Sequence, residues 1–210
     1  MAEGSLLESG LSSMGIAFSG HQLDLINIFI GEIELWNPKY GLVGASGDEL
    51  VVRHILDSLS AVPVLQNFPF RSAADAGSGA GLPGIPLAVF FPEAEFTLIE
   101  KSGRRAGFLR NAVGMLGLGE RVRVLESPVE KVAGEFDLVL FRAFRQLNEF
   151  YPVLERITSP EGILFAYKGR LEKIREELSG LITVREPRML QAAVPFLEEE
   201  RTFCIFLPAR

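Results

Sequence analysis

The sequence predicts an α/β fold: a mostly parallel, seven-stranded sheet with helices on both faces, preceded by a small helical extension. Three observations carry this. From Arg71 to the C-terminus, apolar strand-like runs alternate with segments of helical period, the pattern of parallel sheets built from βαβ units. The first such run closes in Asp75-Ala-Gly-Ser-Gly-Ala-Gly-Leu-Pro-Gly84, a glycine-dense turn between a strand and a helix start. The next run, Glu95-Phe-Thr-Leu-Ile-Glu100, also ends in an acid.

Taken in order, residues 1–20 are rich in Gly and Ser and are expected to be at best partly ordered. Residues 21–36 place Leu25, Phe29, Ile33 and Trp36 at near-helical spacing, with Leu23, Ile26 and Ile30 widening the apolar face. They predict a helix docked on the main domain and ended by Asn37-Pro-Lys-Tyr-Gly41. A second helix is expected from Asp48 to about Leu65, with Ile55, Leu56, Leu59 and Val62 inward. Residues 1–66 thus form a helical extension and residues 67–210 the sheet domain, packed as one globular unit. Strands are expected at 71–75, 95–100, 121–126, 136–141, 161–168, 182–186 and 201–207. Helices are expected at 84–91, 102–116, 146–158 and 170–179, with a short one near 128–133. The last two strands have no helix between them, so one is expected to be antiparallel.

Composition sets bounds. The 210 residues are 48% hydrophobic and 23% charged, as in an ordinary soluble domain with a sizeable core. The single cysteine, Cys204, excludes an intrachain disulfide and a cysteine zinc cluster; its apolar surroundings suggest a core residue. A net charge of −6 argues against non-specific coating of nucleic acid, while leaving room for a local basic face. No apolar run is long enough to span a membrane, and the N-terminus lacks the basic start and apolar core of a signal peptide. A cytoplasmic location is expected. The histidines are His21 and His54 alone, and no Ser-His-Asp or Cys-His set is evident.

The glycine turn suits a nucleotide-like ligand, because glycines let backbone approach a ligand closely and a helix N-terminus offers free N–H groups. Two ligands compete. Gly79-Ala-Gly81-Leu-Pro-Gly84 matches the dinucleotide pattern, with Glu100 about 20 residues further on, which suggests NAD. Asp75, at the mouth of the strand, instead favours a cationic ligand over a pyrophosphate, which it would repel. S-adenosylmethionine carries an ammonium and a sulfonium. Asp-x-Gly-x-Gly followed by a strand-end acid resembles the first motifs of class I methyltransferases, in which that second acid holds the ribose hydroxyls.

Four segments resemble a particular family: Val52-Arg-His-Ile-Leu-Asp-Ser-Leu59, the extended glycine loop from Asp75 through Ile85-Pro-Leu87, Phe141-Arg-Ala-Phe144, and Tyr167-Lys-Gly169. Their order and spacing are similar to those of the bacterial glucose-inhibited division protein B family from about residue 20 to the C-terminus. That resemblance implies a class I fold and S-adenosylmethionine-dependent methylation of N7 of one guanine in small-subunit (16S) ribosomal RNA. It implies a monomer acting on that RNA, free or within the assembled subunit, with no membrane partner and no metal. The chain departs from the family pattern at Val43, Phe141 and Arg145, outside the cofactor motif. The other readings are a class I methyltransferase with a small-molecule or protein substrate, and a non-catalytic nucleotide-binding module.

The expected cofactor residues are Asp75, Gly77, Gly79, Leu82, Glu100, Val129, Glu130 and Arg142. Gly77 and Gly79 face the methionine part, Leu82 lines the pocket and Glu100 takes the ribose. Backbone at Val129-Glu130 holds the adenine, as the resemblance implies. Arg142, which the resemblance sets between cofactor and target base, and Lys168 at a strand end are the catalytic candidates. Both act by positioning, since guanine N7 carries a lone pair and no proton. Arg53, His54, Arg142, Arg145 and Lys168 are the substrate candidates. Each has a plainer alternative: Arg53 and Asp57 pair along a helix, Arg142 forms a structural salt bridge, and the basic clusters after residues 100 and 168 are solvated helix faces. Phe141 or Phe144 stacking on a base is a further option.

Overall fold

The computed structural model describes residues 5–142, 147–179, 181 and 185–208. Within the stretch expected to be at best partly ordered, residues 5–20 form defined structure. Helix α1 (Leu6–Ser13) starts in a capping box, where the Ser5 hydroxyl accepts the Glu8 N–H and the Glu8 carboxylate accepts the Ser5 N–H. Leu7 and Leu11 are buried, and Gly10 lies directly on Leu56, where any Cβ would clash. This glycine serves close helix packing rather than looseness.

Helix α2 (Gly20–Tyr40) opens on a second capping box, Ser19 with Gln22. It runs past Pro38 and stops only at Gly41, whose left-handed φ of 57° lets its N–H donate back to the Asn37 carbonyl. The single helix expected from Asp48 to Leu65 is segmented instead. It comprises α3 (Gly47–Leu50), a wide π-helical stretch Val51–Leu56, α4 (Asp57–Leu59) and α5 (Val62–Leu65). Ile55, Leu56, Leu59 and Val62 are buried, as their spacing predicted.

The alternating part follows as β1 (Ser72–Ala76), α6 (Gly84–Phe90), β2 (Glu95–Glu100), α7 (Gly103–Met115), β3 (Val122–Glu126), a 3-10 turn at Val129–Lys131, β4 (Phe136–Arg142), α8 (Leu147–Arg156), β5 (Thr158–Lys168), α9 (Leu171–Leu178), β6 (Glu186–Ala192) and β7 (Arg201–Leu207). The sheet order is β3-β2-β1-β4-β5-β7-β6, with β7 antiparallel to both its neighbours. Of the strand expected at 182–186, residues 182–184 lie outside the described ones; the observed β6 begins at Glu186 and runs to Ala192. Its register runs from Glu186 opposite Leu207 to Ala192 opposite Arg201. As an edge strand with Met189 and Leu190 exposed, it lacks the apolar alternation that marks a half-buried strand.

The side chains of β4 alternate between two apolar layers. Leu138 and Leu140 join the layer that holds Ile26 and Phe29 of α2, Ile85 of α6 and Phe108 of α7. Val139 and Phe141 join the other, with Tyr151, Leu154 and Ile174. Ile26, Phe29 and Leu50 of the N-terminal helices therefore share one core with Leu98 and Phe165 of the sheet. Cys204 is buried in the second layer, and burial pushes its thiol up to about 12.

At Gly84, the first residue of α6, an added Cβ would sit 2.5 Å from Leu98 Cδ2 and 2.6 Å from Asp75 Oδ2. Gly84→Ala is expected to destabilise the fold by roughly 2–4 kcal/mol through overpacking and a displaced hydrogen bond. Urea unfolding measures this, and an unchanged midpoint would contradict the packing account.

From β1 the chain winds outward to β2 and β3 on one side; β4 and β5 lie on the other. Open α/β sheets bind ligands at such a reversal, outside the carboxyl ends of the strands. Here those ends are Ala76-Gly77 and Arg142.

Candidate active site

The turn after β1 takes its shape from glycine. Gly77, Gly79 and Gly81 have φ of 72°, 58° and 79°, values that L side chains rarely adopt. The Gly77 and Ser78 N–H groups both donate to the Ile99 carbonyl at 2.9 Å, which pins the turn against the end of β2. Glu100 completes the cradle. Its Oε2 accepts the Gly79 N–H at 2.9 Å and its Oε1 the Ser102 N–H at 2.8 Å. It borders a cleft of about 330 Å³ that Gly77, Ile99, Val129, Glu130 and Arg142 also line.

Asp75 lies elsewhere. It is 1% exposed, behind the turn, and its Oδ2 accepts the Gly84 N–H at 3.0 Å. Asp75, Gly79 and Leu82 are not among the cleft-lining residues, and Leu82 is buried in the core. The structure thus sets the Asp75 carboxyl apart from the cleft-lining residues, whereas the sequence suggests that it faces a cationic ligand. Its side chain points to the layer beneath α6, where it fastens the helix start to β1. Burial pushes its carboxyl up to about 6 against the lowering effect of the Gly84 bond. The folded value thus lies above the unfolded one of about 4. Below pH ~4 both states are protonated and no penalty exists; the penalty grows as pH rises toward 6. Asp75→Asn keeps an acceptor for Gly84 and removes the charge. Its stability relative to the native chain is expected to climb between pH ~4 and ~6, by up to about 3 kcal/mol. Urea unfolding across pH measures this, and a flat difference would contradict it.

These contacts also decide between the two nucleotide readings. A pyrophosphate needs bare amides at the loop and helix start. Here the Gly79 and Gly84 amides are already capped by Glu100 and Asp75, and Glu100, which edges the cleft, would repel phosphate. The ribose hydroxyls of S-adenosylmethionine fit beside Glu100, and the capped amides leave no bare N–H pair for a pyrophosphate.

Across the cleft, Arg142 ends β4. Its Nη1 donates to Asp57 Oδ2 at 3.2 Å and its Nη2 approaches His54 Nδ1 at 3.3 Å. Asp57 Oδ1 accepts from Arg201 Nε at 2.7 Å. One buried carboxylate thus holds two guanidiniums. Burial, then the Arg142 charge, lowers the His54 pKa to about 4, so at neutral pH His54 is a neutral partner of Arg142, not a cation. The helix carrying Asp57 is anchored to β5, because the Tyr167 hydroxyl donates to the Ser58 carbonyl at 2.7 Å. Sequence reasoning missed Asp57 and Arg201 as site residues. Pairing of Asp57 with Arg53 along a helix is the plainer of the two readings of that segment. Instead the π-helical stretch, hydrogen-bonded at wider spacing, separates them, and Arg53 pairs with Glu49 at 3.0 Å and Glu199 at 2.6 Å.

The remaining candidates are placed as follows. Lys168 is mostly buried and its Nζ pairs with Glu177 at 2.5 Å; it does not line the cofactor cleft. Phe141 is fully buried in the core, which removes it as a stacking surface. Val43 is partly buried and gives its backbone N–H to the Asn37 side chain, a contact indifferent to its side chain. Phe144 and Arg145 lie outside the described residues. Of the basic cluster after β2, Lys101 and Arg105 line the cleft, while Arg110 pairs with Glu126.

The geometry defines a class I, Rossmann-like methyltransferase. In fold the chain is similar to a magnesium protoporphyrin IX methyltransferase from Synechocystis, with TM-score 0.58 and 18% identity over 92% of this chain and 99% of that one. It is also similar to a ribosomal protein L11 methylase from Lactobacillus delbrueckii, with TM-score 0.56 and 16% identity over 73% and 77%. Residues 22–202 match the family GidB, rRNA small subunit methyltransferase G. The chain is 35% identical to ribosomal RNA small subunit methyltransferase G of Escherichia fergusonii, over 97% of this chain and 98% of that protein. The same-named protein of Cellvibrio japonicus is 38% identical over 89% and 88%. The chain belongs to the GidB family.

Proposed function

We propose that this enzyme methylates N7 of a guanine in small-subunit ribosomal RNA, with S-adenosylmethionine as methyl donor. The observation that carries the reading is the pairing of two features across the β1/β4 reversal: the Glu100-capped glycine turn on one side and Arg142, held by Asp57, on the other. Glu100 offers the acceptors for ribose hydroxyls, backbone around Gly77 meets the methionine part, and Val129-Glu130 edges the adenine position. When bound, S-adenosylmethionine supplies an activated methyl group on its sulfonium.

The chain's own task is to position the acceptor. Guanine N7 needs no deprotonation, so no side chain has to act as base. Catalysis rests on holding the two reactants in line and on electrostatic support at the site. Arg142 lines the cleft, and its guanidinium hydrogens not used on Asp57 and His54 suit guanine O6, since bidentate Arg contacts to guanine use O6 and N7 and N7 is here the reacting atom. Lys168 and Arg53 serve substrate binding from the flank, each held by a carboxylate. The protein works as a monomer in the cytoplasm, on free RNA or on the subunit. Among the described residues no helix is long and apolar enough to cross a membrane.

Labelled methyl transfer to small subunits from cells lacking the enzyme, followed by separation of RNA from protein, tests the reading. Label in the RNA fraction is the expected result, and label in the protein fraction would replace it with a protein-methylating reading.

A further inference from the structure

Beside the cofactor cleft lies a second, larger one of about 1240 Å³, lined in part by Arg53, Arg170, Lys173, Phe196, Glu199 and Arg201. The two clefts are linked through Asp57, whose oxygens hold Arg142 of the first and Arg201 of the second. Phe196 is 59% exposed at its mouth. Its φ of 65° is the only positive value recorded for a non-glycine residue among the described ones. The Leu197 N–H donates to the Val194 carbonyl at 3.1 Å, closing a four-residue turn with Pro195 and Phe196 at its corners. Proline followed by a left-handed residue is the pattern of a type II turn, which calls for glycine or asparagine in that second place. A bulky aromatic there is strained, and such strain gathers where function requires it. Val194 is buried and Leu197 packs on the core, so the turn is anchored on both sides while Phe196 projects outward. Glu199 ties the same loop to Arg53, next to His54.

We propose that Phe196 is a stacking platform for an unpaired nucleotide flanking the target guanine in the substrate RNA. This inference deepens the rRNA methyltransferase reading and rests on it. An exposed ring face beside cations is what single-stranded RNA recognition uses, with bases on the ring and phosphates on the basic groups. The cations are at hand: Arg170 and Lys173 are exposed, and no ion pair engages them among the described residues. Asp48, Glu49, Glu198, Glu199 and Glu200 also line this cleft; Arg53 pairs with Glu49 and Glu199, and the remaining carboxylates repel phosphate, so the backbone is directed to Arg170 and Lys173 and the base to the ring. Phe196 touches no reacting atom; it fixes where the flanking strand lies and thereby delivers the guanine to Arg142.

The test compares the native enzyme with Phe196→Gly and Phe196→Tyr. Glycine suits the turn, so the first variant folds with equal or greater thermal stability; tyrosine keeps the ring. For Phe196→Gly, the KM for protein-free rRNA is expected to rise about tenfold or more, from the loss of one base stack, with kcat and S-adenosylmethionine affinity unchanged. Phe196→Tyr restores the KM. An unchanged KM for Phe196→Gly would overturn the proposal, and so would a rise seen with assembled subunits but not with protein-free rRNA, which would assign the ring to a protein contact. Binding to a fluorescein-labelled single-stranded oligoribonucleotide is read in parallel. Weaker binding by Phe196→Gly supports the platform and equal binding refutes it. That arm decides even if the native enzyme transfers no methyl to rRNA, an outcome that would overturn the rRNA methyltransferase reading on its own.

Discussion

Arg142→Ala is expected to lower kcat/KM for RNA methylation by about a hundredfold or more, because a lost positioning contact of this kind costs that much even for small displacements. Among the described residues, Arg142 is the one side chain that lines the cofactor cleft and is also recorded on both Asp57 and His54. Without it, Asp57 keeps only Arg201, and half of a buried carboxylate loses its donor, at a stability cost of about 1–3 kcal/mol. Arg142→Lys is not expected to restore the rate. A single ammonium lacks the planar fork that reaches Asp57 and His54 together while presenting donors to the base. S-adenosylmethionine affinity, measured separately by calorimetry, should change far less than the rate. An Arg142→Ala enzyme with near-native kcat/KM would reduce Arg142 to a structural salt bridge.

Glu100→Gln is the second large effect, and it falls on the cofactor. The carboxylate accepts the Gly79 and Ser102 amides, one on each oxygen. Glutamine has one oxygen, so its amide nitrogen faces an N–H donor and one backbone group is left unmatched. The acceptors for the ribose hydroxyls weaken at the same time. Hydrogen bonds to a charged group contribute about 1.5–3 kcal/mol each, so the Kd for S-adenosylmethionine is expected to rise about a hundredfold. The kcat at saturating cofactor should be largely kept, since Glu100 lies on the cofactor side of the cleft. Unchanged calorimetric affinity would remove Glu100 from the ribose site.

The sheet was legible because its signals are local. Strand runs ended by acids and glycines at alternate positions need no tertiary knowledge, and Gly77, Gly79 and Gly81 do take the left-handed backbone that only glycine adopts freely. What a strand-end acid faces was not legible. Asp75 and Glu100 look alike in sequence, and the β1–β2 register turns both to the same face of the sheet; one is capped beneath α6 and the other edges the cleft, because Asp75 pairs with Leu98 while Glu100 lies two residues further out along β2. Asp57 was hidden for another reason. Its partners lie 85 and 144 residues away, on β4 and β7, and a π-helical stretch moved it off the face that an α-helical spacing assigns. Most of β6 escaped because an exposed edge strand carries no apolar alternation.

The account's central claim is that this cleft delivers one guanine for methylation at N7. The most direct test incubates the enzyme with labelled S-adenosylmethionine and small subunits from cells lacking it, digests the RNA and identifies the labelled nucleoside and its position. A single labelled 7-methylguanosine at one site is the predicted result. Label on another base, on a ribose hydroxyl, or spread over many guanines would contradict it.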